Sequence, residues 1–250
     1  MKLSFYTPIA YDYQYAFTSI KSYYEIADEI ILAIDKDRIS WSGMKYDFDD
    51  DLFNSTIKEI DVQSKIKVIQ ESFHKTNSPI TNDTNKRNVI STYCVKDNII
   101  IGIDSDEVLL NAKEFVEWLS NYSPQYDISC HLLTVYKSFG DQLLIAMPEE
   151  KTVIGTALRN QYRQARNTHH SAILSPLKLL HYSWGRTEEQ LKQKLANFGH
   201  SNQFNIPKYF GMWKNVTLEN YKALKHFHPL GPKQNGWQYL ELINLKDVKC

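Results

Sequence analysis

The sequence predicts an α/β fold: a mostly parallel central sheet with helices on both faces, plus a small antiparallel hairpin region. Short apolar runs recur through the first hundred residues as KLSFYT, EIILAID, KIKVIQ and NIIIGID. Stretches with apolar residues at helical spacing lie between them. The runs are nearly continuous rather than alternating, as in strands buried on both faces. Together these observations give Rossmann-like winding, in which ligands sit outside the carboxyl ends of the strands.

KLSFYT opens as a strand, and apolar spacing predicts a helix from Tyr13 to Ala27. EIILAID is the second strand, Asp50 to Ile60 a helix, KIKVIQ the third strand, Asn82 to Val95 a helix, and NIIIGID the most strand-like segment. A helix from Lys113 to Leu119 leads into strands Ile128 to Tyr136 and Gln142 to Met147, joined by the turn SFGD. ALRNQYRQARN reads as a polar helix with Arg159, Arg163 and Arg166 on roughly one face, able to hold a phosphorylated or acidic acceptor or, as the commoner case, simply to be solvated. ILSPLKLLHYSW reads as a last strand interrupted by Pro176. RTEEQLKQKLANFG reads as a helix with a threonine N-cap, glutamates in its first turn and an end near Gly199. The tail from Pro207 has no clear period. With no repeat and no long linker, one domain is expected: residues 1–110 as a nucleotide-binding half, 111–204 as an acceptor-side half and 205–250 as a C-terminal elaboration.

Composition narrows the function. At 250 residues and 42% hydrophobic content the chain can bury a sizeable core. Lys+Arg and Asp+Glu both number 29, so no broad footprint for nucleic acid or anionic lipid is expected, and an anionic ligand must be held locally. No apolar run approaches the roughly 20 residues that cross a bilayer, and the opening turns polar too soon for a secretion signal. An unexported, cytoplasmic protein is expected, its tail after Phe204 an acceptor-binding elaboration or a contact with a membrane surface. Cys94, Cys130 and Cys250 have no metal-ligand spacing and fit a reducing compartment.

Polar residues that directly follow an apolar strand can reach the ligand crevice, which nominates Thr7, Asp35, Glu71 and Asp104. IIIGIDSDEVLL puts Asp104, Asp106 and Glu107 just beyond a buried strand. Such carboxylates raise one another's pKa at a cost of a few kcal/mol unless a cation or solvent relieves it. A divalent cation is the simplest relief, and oxygen ligands without cysteine point to Mn²⁺ or Mg²⁺ shared with substrate phosphates. A solvated acidic turn before a helix starting near Asn111 is the other reading. An EF-hand fails because Leu109 stands where its loop needs glycine, and no P-loop occurs. The string also fits the DxDx[TV] pattern of haloacid-dehalogenase phosphatases, with Asp104 as nucleophile, Asp106 as acid and Val108 completing it. That family's later acidic pair after a strand is missing.

Taken in order, these stations resemble the nucleotide-sugar glycosyltransferases of the GT-A fold, family 2-like, over Met1 to about Phe204. KLSFYTPIA resembles the family's opening strand and nucleotide-side loop, which implies Thr7 and Pro8 near the base. The resemblance implies a base or ribose contact for Asp35. NKRNVIS is similar to the Arg-Asn signature, so Arg87 and Asn88 would hold the diphosphate or donor sugar. IGIDSDE resembles the DxD motif: Asp104 and Ser105 on the nucleotide-sugar side, Asp106 on the metal. LLHYSWGRTEEQLKQKLANFGHS resembles the late segment in which a histidine completes the metal site and a basic residue meets the diphosphate, implying His181 and Arg186.

The implied activity is metal-dependent transfer of a sugar from a nucleoside-diphosphate donor to a hydroxyl of a glycan or lipid-linked acceptor, with inversion expected. An inverting enzyme needs a carboxylate base between the DxD strand and the late histidine. Glu149, Glu150, Asp127 and Asp141 lie there, and Glu150 with its neighbour Glu149 is preferred because EEK follows a strand. A module that binds nucleotide sugar without turnover is a further alternative.

Overall fold

The computed structural model describes residues 1–197, 204–229 and 236–248. The first half alternates strand and helix: β1 (Leu3–Ile9), α1 (Tyr13–Tyr23), β2 (Glu29–Asp35), α2 (Asp50–Ile60), β3 (Ile66–Glu71), α3 (Pro79–Tyr93) and β4 (Ile99–Gly102). The second half holds β5 (Glu107–Leu109), α4 (Ala112–Leu119), β6 (Asp127–Phe139), β7 (Gln142–Met147), β8 (Glu150–Thr156), β9 (Ala172–His181), α5 (Glu188–Asn197), α6 (Ile206–Lys214) and β10 (Tyr239–Asn244).

One sheet runs in the order β10-β7-β6-β8-β4-β1-β2-β3, with β9 joining β6 and β5 off that path. β4, β1, β2 and β3 are mutually parallel, as the α/β reading requires. Side chains of β1 alternate between two cores: Phe5 and Ile9 pack with Ile20 and Tyr23 of α1, and Tyr6 packs with Ile90 and Cys94 around α3. Helices therefore cover both faces. Because β1 runs to β2 on one side and β4 lies on the other, strand order reverses between β1 and β4, and a crevice opens there at the carboxyl ends.

β8 pairs with β4 antiparallel and carries the sheet into the second half. The antiparallel region extends past the β6–β7 hairpin into β8 and β10. β6 and β9 run parallel, and their register shifts between Ser129 and His131, close to Pro176, where a missing N–H is tolerated.

The tail read as aperiodic forms α6 and β10 and closes a core of Tyr136, Leu144, Trp184, Leu191, Trp213 and Trp237. Lys137 Nζ donates to the carbonyls of Trp213, Lys214 and Val216, filling the C-terminal end of α6. The arginine-rich helix expected over 157–167 does not form. That segment is a loop in which Asn160 and Ala165 take left-handed backbone (φ 53° and 48°) and Arg159 turns inward to the carbonyls of Ser91, Cys94 and Val95. Side chains of α3 hold it there, and no shared arginine face exists. The helix end expected near Gly199 lies outside the described residues, as does Cys250.

Candidate functional site

A cavity occupies the crevice, with about 970 Å³ of space including its mouth. Its lining includes Pro8 near the end of β1, Tyr11 and Asp12 beyond it, Trp41 and His74 from the loops after β2 and β3, and Lys86 and Arg87 from α3. Asp104, Ser105 and Asp106 enter beyond β4, His181 from the end of β9, and Lys194 from α5.

Each carboxylate of the acidic string has its own cation. Arg87 donates to Asp104 Oδ1 at 2.9 Å and also grips Asp83, one helical turn earlier on α3. Arg186 donates to Asp106 Oδ2 at 2.5 Å and to Asp12 at 2.8 Å, and Lys194 Nζ reaches the same Asp106 oxygen at 3.0 Å. Arg166 takes both oxygens of Glu107. Relief of the acidic cluster therefore comes first from side chains. Glu107 is a wholly buried residue of β5, so the solvated acidic turn before Asn111 is not what the segment forms. Burial pushes the Asp106 carboxyl up, but Lys194, His181 and Arg186 outweigh it and hold the group well below the usual carboxylate range. Burial is likewise outweighed at Asp104 by Arg87, then Arg166, and its pKa is lowered.

The fit of a divalent cation rests on the donors left over. Arg186 and Lys194 both bind Asp106 Oδ2, which leaves Oδ1 facing His181 Nε2 at 3.5 Å on the cavity wall. One carboxylate oxygen and one imidazole nitrogen suit an ion whose other positions are filled by phosphate and water, the usual mode of Mg²⁺. They do not make a protein-only cage: among the described residues no three His, Cys, Asp or Glu side chains converge on a metal position.

The other nominated residues are placed as follows. Pro8, Arg87, Asp104, Ser105, Asp106 and His181 line the cavity; Arg186 stands behind it through Asp106 and Asp12. Thr7 is buried against Tyr23, its hydroxyl 2.7 Å from the phenol. The Asp35 carboxylate accepts from the backbone N–H groups of Asp37, Ile39, Phe73 and His74, tying the loops after β2 and β3 together. Glu71 accepts from Tyr93 Oη. Asn88 bonds both N–H and C=O of Tyr162, so it clamps the 157–167 loop. Glu149 sits 3.1 Å from His131 Nδ1, and Glu150 accepts from Thr134 Oγ1 at 2.8 Å; neither lines the cavity.

Four residues of the site had not been singled out. Lys194 follows Leu191 by three positions and precedes Leu195 on α5, so a lysine on the apolar side of a helix was the signal. Asp83 and Arg87 are four apart on α3. Lys86 had no signal beyond its place beside Arg87. Asp12 follows the first strand closely, where the crevice rule applies.

No protein-family model and no curated protein matches this chain. Among solved structures, HddC from Yersinia pseudotuberculosis is similar at 15% identity and a TM-score of 0.39, over 77% of this chain and 97% of that one. The 2-C-methyl-D-erythritol 4-phosphate cytidylyltransferase of Francisella tularensis gives 12% identity and a TM-score of 0.27, over 86% and 87%. Mannose-6-phosphate isomerase from Helicobacter pylori gives 13% and 0.34 over 56% of this chain, which spans about half (53%) of that protein. Overlaps of this size bear on no functional residue. Among the described residues no helix is long and apolar enough to cross a membrane.

Proposed function

We propose that the chain is a glycosyltransferase that binds a nucleoside-diphosphate sugar in the β1/β4 crevice and passes the sugar to a hydroxyl of a glycan or lipid-linked acceptor. The observation that carries this reading is the charge array of the cavity. Four carboxylates of the lining, Asp12, Asp83, Asp104 and Asp106, face Lys86, Arg87 and Lys194 of the lining and Arg186 behind it, equal in number but shared unevenly: Arg87 holds two of them and Lys86 none. A dianionic diphosphate fits such an array when it brings a divalent cation, and Asp106 Oδ1 with His181 Nε2 would hold it. When bound, Mn²⁺ or Mg²⁺ supplies Lewis-acid stabilisation of the charge on the departing diphosphate.

The chain's own side chains do the rest. Trp41, Phe73 and Tyr11 give the cavity an aromatic wall for the base. Lys86, which has no carboxylate within salt-bridge distance among the described residues, meets phosphate oxygens, and Arg87 orients Asp104 toward the ribose or sugar. Glu150 lies on β8 with β6 between it and the strand of His181, and their partners on β6 are two residues apart, so their Cα atoms are roughly 12 Å apart at ordinary strand spacing and rise. Held by Thr134 and outside the cavity lining, it would take the proton of an acceptor hydroxyl entering beside the cavity, as that oxygen bonds the sugar carbon and the carbon–diphosphate bond breaks.

A phosphatase that uses Asp104 as nucleophile needs Asp106 to carry a proton for the leaving group. Lys194 and Arg186, both on its Oδ2, help keep Asp106 ionised, which argues against that role. The direct test is incubation with UDP-, GDP-, CDP- and TDP-sugars in Mn²⁺, following release of nucleoside diphosphate. Metal-dependent release from one donor class supports the proposal. Binding without release would favour a non-catalytic module, and phosphoaspartate trapped with an aryl phosphate would favour the phosphatase.

A further inference from the structure

Resting on the reading of this cavity as a metal and diphosphate site, we propose that Arg166 is a positioning residue for the Asp104–Asp106 segment, acting through Glu107, and that Asn88 sets Arg166 in place. The segment from Gly102 to Glu107 leaves β4 and closes on itself, with Glu107 N–H donating to the Asp104 carbonyl at 3.0 Å. The Glu107 carboxylate reaches back to accept from the Asp104 N–H at 2.9 Å. Arg166 locks this turn: its guanidinium donates to both Glu107 oxygens at 2.6 and 2.7 Å and to the Gly102 carbonyl at 3.2 Å. One planar fork thus fixes the backbone on either side of Asp104, as lysine, with a single donor centre, cannot.

The position of Arg166 is itself held. Asn88 binds both backbone groups of Tyr162, Thr84 Oγ1 accepts from Ala165 N–H, and Ser91 Oγ accepts from Asn160 N–H. These bonds from α3 stand beside the two left-handed non-glycine residues of the loop, Asn160 and Ala165. Backbone of that kind persists only where the surroundings over-determine it, and Ala165 directly precedes the arginine it presents. Neither Arg166 nor Glu107 lines the cavity, so their effect on a ligand passes through Asp104 and Asp106.

The test compares wild type with Arg166→Lys, Asn88→Ala and the double variant Glu107→Met with Arg166→Met. Replacing both members of a buried ion pair with apolar side chains leaves no uncompensated charge, so the double variant is expected to fold. Hydrogen exchange at the Asp104 amide needs no ligand. Its protection should fall in Arg166→Lys, which keeps the Glu107 acceptor, and by at least about tenfold in the double variant, which also removes that acceptor, while β1 and β2 amides stay protected. Mn²⁺-dependent nucleoside-diphosphate affinity should fall by roughly 2–30-fold, the range for a change that touches the ligand only through intervening residues. Arg166→Lys and Asn88→Ala should lose less, in the same direction. Unchanged protection at Asp104 in Arg166→Lys, or wild-type affinity in a folded double variant, overturns the proposal. Wild-type protein that binds no nucleotide with any metal sinks the functional reading instead, and hydrogen exchange still decides the positioning role.

Discussion

At the scale of single residues, the site works by giving each carboxylate a cation while leaving one oxygen of Asp106 toward the cavity. Asp106→Asn keeps the shape and removes the charge; it is expected to abolish Mn²⁺-dependent nucleotide binding, read by calorimetry, whereas unchanged binding removes Asp106 from the site. Lys86 gives the pH dependence. Burial, only partly offset by Asp83 and Asp35, brings its pKa down to about 8. Between about 8 and the ordinary lysine value near 10.4, the unfolded chain keeps a proton that the folded chain loses. In that window Lys86 makes folding stability rise with pH. Anion affinity moves the other way, because the neutral amine no longer attracts phosphate. Nucleotide affinity should therefore decline above about pH 8 in wild type and lose that decline in Lys86→Met; the same decline in the variant would clear Lys86 of the role. Glu150→Gln should depress turnover far more than donor binding, and full turnover would move the base elsewhere.

At the scale of elements, what could be read depended on regular periodicity. β2 and α2 match their expected bounds because EIILAID is a continuous apolar run and the α2 segment buries Phe53, Ile57 and Ile60 at helical spacing. The start of α5 was equally legible: Thr187 Oγ1 accepts from Gln190 N–H while Gln190 Oε1 accepts from Thr187 N–H, a reciprocal capping box. Residues 157–167 were not, since left-handed backbone at Asn160 and Ala165 is imposed by contacts with α3 some seventy residues earlier. The roles of Asp35 and Asn88 were hidden for the same reason: a carboxylate or amide consumed by backbone groups reads no differently in sequence from one facing a ligand. Close packing makes one further element-level prediction. A Cβ at Gly102 would come 2.4 Å from Tyr6 Oη, in a wholly buried ring. Gly102→Ala should cost about 1–3 kcal/mol, measured by denaturant unfolding. No loss of stability would mean that Tyr6 can move aside.

At the scale of the whole molecule, β8 links the parallel and antiparallel halves in one sheet, and the tail seals a core rich in tryptophan. A single folding unit is proposed, so tryptophan fluorescence, dominated by that core, and far-UV circular dichroism should report one coincident unfolding transition. Two separated transitions would make the halves independent. The central claim is that the β1/β4 crevice holds a nucleoside diphosphate with a divalent cation. It is tested most directly by thermal shift with UDP, GDP, CDP and TDP, each in Mn²⁺, in Mg²⁺ and in chelator. At about a hundred times its dissociation constant a ligand adds roughly 2.7 kcal/mol, which raises Tm by several degrees in a chain of this size. A rise for one nucleotide that vanishes in chelator is the predicted result; no rise for any nucleotide under any condition would contradict the account.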